Sequence, residues 1–317
     1  MLSVCLPAHN EARALPATLR ALLTALAPPH WPADRPVEIL LAANACTDDT
    51  AAVFAATLTA AGRITPGSDG AADRIITVPA AGKWRAWNAL TAGARGDVLL
   101  FCDADIIVDP AAPAQLVRVL ADDPAAAAAA GILRAPVRSS DSALYRRLAV
   151  KMTEFATKPV PFINGPLYAV RRAMLPGNMP DDTINDDLWL GVTLGAARIR
   201  RVPAAFGWQR PPAVWGEYYR REVRMRTGDR QAHARQPEAY AAYRRATADP
   251  RDKRARAAAL SAAERMTKRR LFWAGWLQHA IDRAADRAAG RLAARAAWRE
   301  CAWATAPSSK AAAAVPE

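Results

Sequence analysis

The chain predicts an α/β fold: a doubly wound, mainly parallel sheet followed by a helical C-terminal appendage. Three observations point there. Short apolar runs alternate with helix-length segments over the first 110 residues. Each run opens into a loop of polar, acidic or glycine residues. The last third is mostly helical in character, with breaks near Pro237 and Pro250, and carries most of the basic excess.

Residues 2–6 are a compact apolar run and read as the first strand, followed by a helix from residue 11 to about 26. Residues 37–42 are the second strand, and 47 to about 61 the second helix. Residues 62–72, rich in Gly, Ser, Asp and Pro, read as a loop. Residues 75–78 are the third strand, 83–94 the third helix and 98–102 the fourth strand, with Gly93 and Gly96 ending that helix. Alternating βαβ units imply a parallel sheet with right-handed crossovers, whose ligands bind beyond the carboxyl ends of the strands. Residues 111–121 read as a helix, and 125–130 are a low-complexity alanine tract. No internal repeat is visible.

Composition narrows the class. A hydrophobic content of 52% over 317 residues supports one large domain or a domain with an appendage. The net charge of +13 is unevenly placed: residues 220–300 hold 21 Lys and Arg against 9 Asp and Glu, and the rest hold 22 against 21. The cysteines Cys5, Cys46, Cys102 and Cys301 lie far apart with no metal-ligand spacing, so they read as small buried hydrophobes of a reducing compartment. The first apolar run lacks a basic leader, and no run approaches the ~18–20 apolar residues that cross a bilayer. The expectation is a cytoplasmic protein that does not span a membrane.

Four loops therefore gather at one sheet edge: Pro7-Ala8-His9-Asn10-Glu11, Ala43-Asn44 through Asp48, Ala81-Gly82-Lys83 and Asp103-Ala104-Asp105. The last is the most informative. Two carboxylates one residue apart, where a buried strand opens, are costly unless a cation meets them. Their hard oxygens suit Mg²⁺ or Mn²⁺ holding a diphosphate, whereas the plainer reading is a solvated turn. Lys83 opens a helix, and a lysine at a helix N-terminus attracts phosphate, although it also reads as a surface lysine. Asn10 would cap the first helix, and Asn185 and Asp186 the helix starting near Leu188. Paired carboxylates also occur in glycoside hydrolases, which have no use for nucleotide-type loops.

With these residues in view, the chain resembles the family 2 glycosyltransferases. Five segments carry the resemblance, in the order the family uses: Val4 to Glu11, Asn44 to Thr50, Gly82-Lys83 to Asn88, Ala94 to Asp105, and Asn164-Gly165 with Asn185-Asp186-Asp187. The resemblance implies the GT-A fold, a Rossmann-like doubly wound mixed sheet. It places the catalytic domain at residues 1–226, with a nucleotide-sugar half over 1–110 and an acceptor half over 111–226, ahead of a basic helical region over 227–317. It implies a metal-assisted, inverting transfer of one sugar from a UDP-, GDP- or dTDP-sugar to a hydroxyl acceptor. By resemblance, Pro7, Ala8, Asn10, Glu11, Asn44, Lys83, Asp103, Ala104 and Arg224 hold the donor. Asp105, with Asp103, holds the metal, and Asp187, paired with Asp186, is the general base. Two departures stand out. Ala43-Asn44 occupies the place where many members carry two aspartates, one of them against a uracil. Arg221-Glu-Val-Arg224-Met225 keeps only the arginine of the Gln-x-x-Arg-Trp segment of processive members. The competing reading is a nucleotidyltransferase on the same fold.

The tail has its own pattern. Lys268-Arg269-Arg270 runs into Leu271-Phe272-Trp273-Ala-Gly-Trp276-Leu277, and Arg283, Arg287, Arg291, Arg295 and Arg299 then recur at spacing four. Such a segment suits the surface of an anionic membrane and a lipid-linked acceptor. The alternative packs Phe272, Trp273 and Trp276 on the catalytic domain. A nucleic-acid partner is disfavoured, because no zinc finger, recognition helix or RNA-binding aromatic signature accompanies the charge.

Overall fold

A computed structural model describes residues 1–64, 72–138, 140–251 and 253–294. Arg295, Arg299, Cys301 and part of the 62–72 loop lie outside the described residues. The elements follow in order as β1 Leu2–Ala8, α1 Leu15–Ala25, β2 Val37–Asn44, α2 Thr50–Ala60, β3 Arg74–Val78, α3 Lys83–Gly93, β4 Val98–Cys102, β5 Ile107–Val108, α4 Ala112–Asp122, β6 Ala128–Arg134, α5 Ala143–Ala156, β7 Leu167–Arg171, α6 Asp186–Leu194 and β8 Ile199–Trp208. The helices α7 Trp215–Arg235, α8 Pro237–Ala246, α9 Lys253–Ala258, α10 Ala262–Arg270 and α11 Phe272–Ala294 complete the described residues, and α7 crosses residue 226 unbroken.

Among the described residues the strands form one sheet in the order β3-β2-β1-β4-β7-β6-β8-β5. The first four are parallel, as the alternating pattern predicts. β7 is antiparallel to both β4 and β6, which makes the sheet mixed. Successive residues of the central strands feed opposite layers, following the period of two. Val4, Leu6, Ile39, Leu41 and Leu100 pack under α1, α2 and α4, while Cys5, Leu40, Leu99 and Phe101 pack under α3 and α6. In the second layer Phe101 stacks with Trp87 and Tyr168, and Trp87 Nε1 donates to the Tyr168 hydroxyl at 3.0 Å. This contact fixes α3, and with it Lys83, against β4 and β7.

The alanine tract becomes a buried strand. Ala126 to Ala130 are completely buried, and β6 sits between β7 and β8. Small side chains let neighbouring layers close on both faces, so packing overrides the helix propensity of alanine. α1 begins at Leu15 rather than residue 11, with Pro16 in its first turn, where a missing N–H costs nothing.

Candidate active site

A cavity of about 460 Å³ opens at the carboxyl ends of β1 and β4. Pro7, Glu11, Lys83, Asp103, Ala104, Asp105, Asp186, Asp187 and Arg224 all line it. The parallel strands deliver the first six of these. α6 and α7 close over them with Asp186, Asp187 and Arg224.

The Asp103-Ala104-Asp105 turn is held from two sides. Asp103 N–H donates to the Pro166 carbonyl at 3.0 Å, and the Thr18 hydroxyl of α1 donates to the Ala104 carbonyl at 2.9 Å. Lys83 reaches in from the first turn of α3 and lies between two acids, 3.1 Å from Asp103 Oδ1 and 3.4 Å from Asp186 Oδ2. Burial alone would lower the Lys83 ammonium, but Asp103, Asp186 and Asp187 outweigh it and hold it above the ordinary lysine range. Burial raises the Asp103 carboxyl, although Lys83 opposes the shift.

Asp105 has weaker support. Its carboxylate meets Gln209 Nε2 at 3.3 and 3.4 Å, and burial together with Asp103 pushes it up to about 6. Gln209 follows β8, an element that sequence reasoning did not resolve, so nothing in the local pattern marked it. The donor set fits a divalent metal. Asp103 and Asp105 present hard oxygen ligands inside the cavity, and among the described residues no cation pairs with Asp105. Among the described residues no group of three or more His, Cys, Asp or Glu is placed to hold an ion alone. Mg²⁺-like ions characteristically take one or two carboxylates and complete their shell with substrate phosphate and water.

Asp186 and Asp187 occupy the first turn of α6. Asp187 Oδ1 accepts the Leu188 N–H at 2.8 Å and Oδ2 the Gly165 N–H at 3.2 Å. Burial first, and Asp186 second, push Asp187 up to about 6. The capping role expected of Asn185 is not observed. Its side chain makes no cap bond and instead donates to the Met225 carbonyl at 2.9 Å, pinning α6 to α7 over the side-chain-free Gly228.

Arg224 is half-buried, and its Nε has no hydrogen-bond partner. Burial and Arg221 lower its pKa, against the pull of Asp186, Asp103 and Asp187. The cavity thus presents Lys83 and Arg224 beside four aspartates, a layout that can take a diphosphate and a dication together.

Ala8, Asn10 and Asn44 do not line this cavity. Asn44 is fully buried: its Oδ1 accepts the Gly82 N–H at 2.9 Å, and its Nδ2 donates to the Ala80 carbonyl at 2.7 Å. It ties β2 to the turn that launches α3. Asn10 does not cap α1. It stands at φ +56°, and its Oδ1 accepts the Thr47 N–H at 2.7 Å, joining the loops after β1 and β2. Asn10 lies in its predicted loop and Asn44 at the end of β2, and both act on backbone.

The alternative reading of the tail, aromatics packed on the catalytic domain, does not hold for Trp273 and Trp276. Trp273 and Trp276 are exposed, while Leu271 and Ala274 are buried. No helix among the described residues is long and apolar enough to cross a membrane.

Comparison with known proteins bears on the family and the fold. The family model described as "Glycosyl transferase family 2" matches residues 3–181. A probable glycosyltransferase, YdaM of Bacillus subtilis (strain 168), is 27% identical over 243 residues, which are 72% of this chain and 54% of that protein. The chain thus spans about half the length of that relative. The mannosyltransferase PcManGT of Pyrobaculum calidifontis, solved with GDP-Man and Mn²⁺, shares the fold at a TM-score of 0.60. It is 20% identical, with 92% of this chain and 86% of that one covered.

Proposed function

The chain belongs to glycosyl transferase family 2, and from that premise we propose that it moves a single sugar from a nucleotide-diphosphate sugar to a hydroxyl acceptor, with inversion. One observation carries the reading: Lys83, Asp103, Asp105, Asp186, Asp187 and Arg224 converge from four separate chain segments on one cavity.

In this reading Asp187 accepts the proton of the acceptor hydroxyl as that oxygen attacks the anomeric carbon. The bond from that carbon to the diphosphate oxygen breaks, and the electron pair leaves with the nucleoside diphosphate. The two N–H donors on Asp187 orient its carboxylate, and its raised pKa brings it closer to the range in which a base is effective near neutrality. Lys83 and Arg224 meet the negative charge of the diphosphate, and Asp186 holds Lys83 in place. A Mg²⁺ or Mn²⁺ ion bound by Asp105, with Asp103, would neutralise charge gathering on the leaving group. Pro7, Ala8, Asn10, Glu11, Asn44 and Ala104 shape the donor side, with Asn10 and Asn44 acting through the loops they brace.

We take residues 1–226 as the catalytic domain and 227–317 as the basic helical region. The cavity's apolar wall of Leu133, Leu148, Met152, Phe155, Pro211 and Pro212 supports a lipid-linked acceptor. The expected location is the cytoplasm, and a lipid-linked acceptor would bring the chain to the inner face of the membrane.

The test is to incubate the chain with UDP-, GDP- and dTDP-sugars and Mn²⁺, GDP-mannose first, and to measure released nucleoside diphosphate. Release from one donor, increased by an acceptor, supports the transferase. Pyrophosphate release from a nucleoside triphosphate and a sugar phosphate would establish the nucleotidyltransferase reading instead.

A further inference from the structure

Sugar transfer leaves the outer face of the C-terminal helices without a role. α11 turns one side to the protein. Ala274, Ala285 and Ala289 are completely buried, and Gln278 accepts from Arg147 Nε at 2.7 Å while donating to the Tyr218 hydroxyl at 3.1 Å. Both acids of α11 are engaged from that side. Asp282 accepts from the Tyr218 hydroxyl at 2.6 Å, and Asp286 pairs with Arg230 at 2.7 Å.

At 3.6 residues per turn, Trp273, Trp276, Leu277, Arg283, Arg287 and Arg291 fall together on the opposite side. All six are exposed, Trp273 at 58% and Trp276 at 69%. No acidic residue interrupts this strip. The exposed Arg269 and Arg270 at the end of α10 adjoin its aromatic end. The strip is also close to the cavity in the fold. Lys268 of α10 pairs with Glu154 of α5, and the next residue, Phe155, is 43% exposed and lines the cavity.

We propose that this strip docks on an anionic lipid bilayer, with Trp273, Trp276 and Leu277 at headgroup depth and Arg283, Arg287 and Arg291 against lipid phosphate. Indole rings favour the membrane–water interface, and juxtamembrane arginines are drawn to anionic headgroups. A polyanion such as RNA would engage the arginines but leave the three apolar side chains in water. Docking goes beyond the transfer reading and is tested without turnover.

The experiment floats the full chain with vesicles of mixed phosphatidylglycerol and phosphatidylcholine, or of phosphatidylcholine alone, in low salt. The expected result is flotation with the anionic vesicles only. Replacing both tryptophans (Trp273→Ala with Trp276→Ala) lowers partitioning by at least about tenfold, the scale expected for losing two large apolar contacts. Arg283→Gln lowers it about fivefold, as for one basic residue near an anionic surface. The variants keep the parent's melting temperature and its response to nucleoside diphosphate, because the replaced side chains are exposed. Absence of flotation, equal flotation with neutral vesicles, or unchanged flotation of the double variant overturns the proposal, as does tight RNA binding with no vesicle binding. Flotation in a chain that ignores every nucleotide keeps the docking surface and removes the transferase reading, and the reverse pair of results does the opposite.

Discussion

Replacing Asp187 by Asn separates its two effects, on stability and on turnover. The free chain holds the Asp187 carboxyl at about 6 instead of 3.8, chiefly through burial. The folded state therefore binds that proton more tightly than the unfolded state does. The associated stabilisation is present below pH ~4 and is lost as pH rises through ~6. At 1.36 kcal/mol per unit, a shift of about two units amounts to roughly 3 kcal/mol. Asp187→Asn cannot ionise, so the parent should lose roughly 2–3 kcal/mol relative to the variant between pH 4 and pH 7. Urea unfolding of both metal-free proteins at the two pH values measures this double difference and cancels titrations common to both. In turnover, kcat/KM of the parent should rise with pH through about 6, and the variant should lose roughly 10²–10⁴-fold in kcat while binding donor as the parent does. A double difference near zero, or a variant with parental kcat, refutes the assignment of a buried base at this position.

Three further substitutions probe its surroundings. A Cβ at Gly165 would stand 3.0 Å from Asp187 Oδ2 and 3.1 Å from its Cγ, so Gly165→Ala should displace the carboxylate and lower kcat about tenfold or more with little change in donor affinity; steady-state kinetics with a donor titration checks this. Lys83→Ala leaves Asp103 and Asp186 without their cation, and should cost about 3 kcal/mol, as read by denaturant midpoints. Arg224→Ala removes a side chain whose Nε has no partner, so stability should stay within about 0.5 kcal/mol while donor affinity falls tenfold or more, as measured by calorimetric titration.

The nucleotide-side half of the fold was legible because its four strands are short apolar runs with a polar residue at each exit. The same pattern located Asp103, Asp105 and Lys83 before any packing was known. The other half resisted for identifiable reasons. β6 is an alanine tract, and only the layers closing on both sides make it a strand. β8 carries Pro203, which reads as a strand breaker. It is tolerated because the register with β6 shifts there, between Arg201 opposite Ala130 and Phe206 opposite Ile132. Missing β8 meant missing Gln209 at its end. Asn10 was placed in the right loop, whereas Asn44, read as a loop residue, is the last residue of β2; both side chains turn to backbone groups, a distinction that depends on the neighbouring loop. The tail's strip of tryptophan and arginine was visible in the spacing, but which side faces the protein was decided by Tyr218 and Arg230 on α7.

The central claim is that Asp103 and Asp105 grip a cation that in turn grips the donor's diphosphate. Its most direct measurement is a thermal-shift panel of UDP, GDP and dTDP, each with and without Mn²⁺, on the parent chain, Asp105→Ala and Asp187→Asn. One nucleotide should raise the melting temperature only when Mn²⁺ is present, in the parent and in Asp187→Asn but not in Asp105→Ala. A shift of equal size without metal, or one that survives Asp105→Ala, would contradict the account.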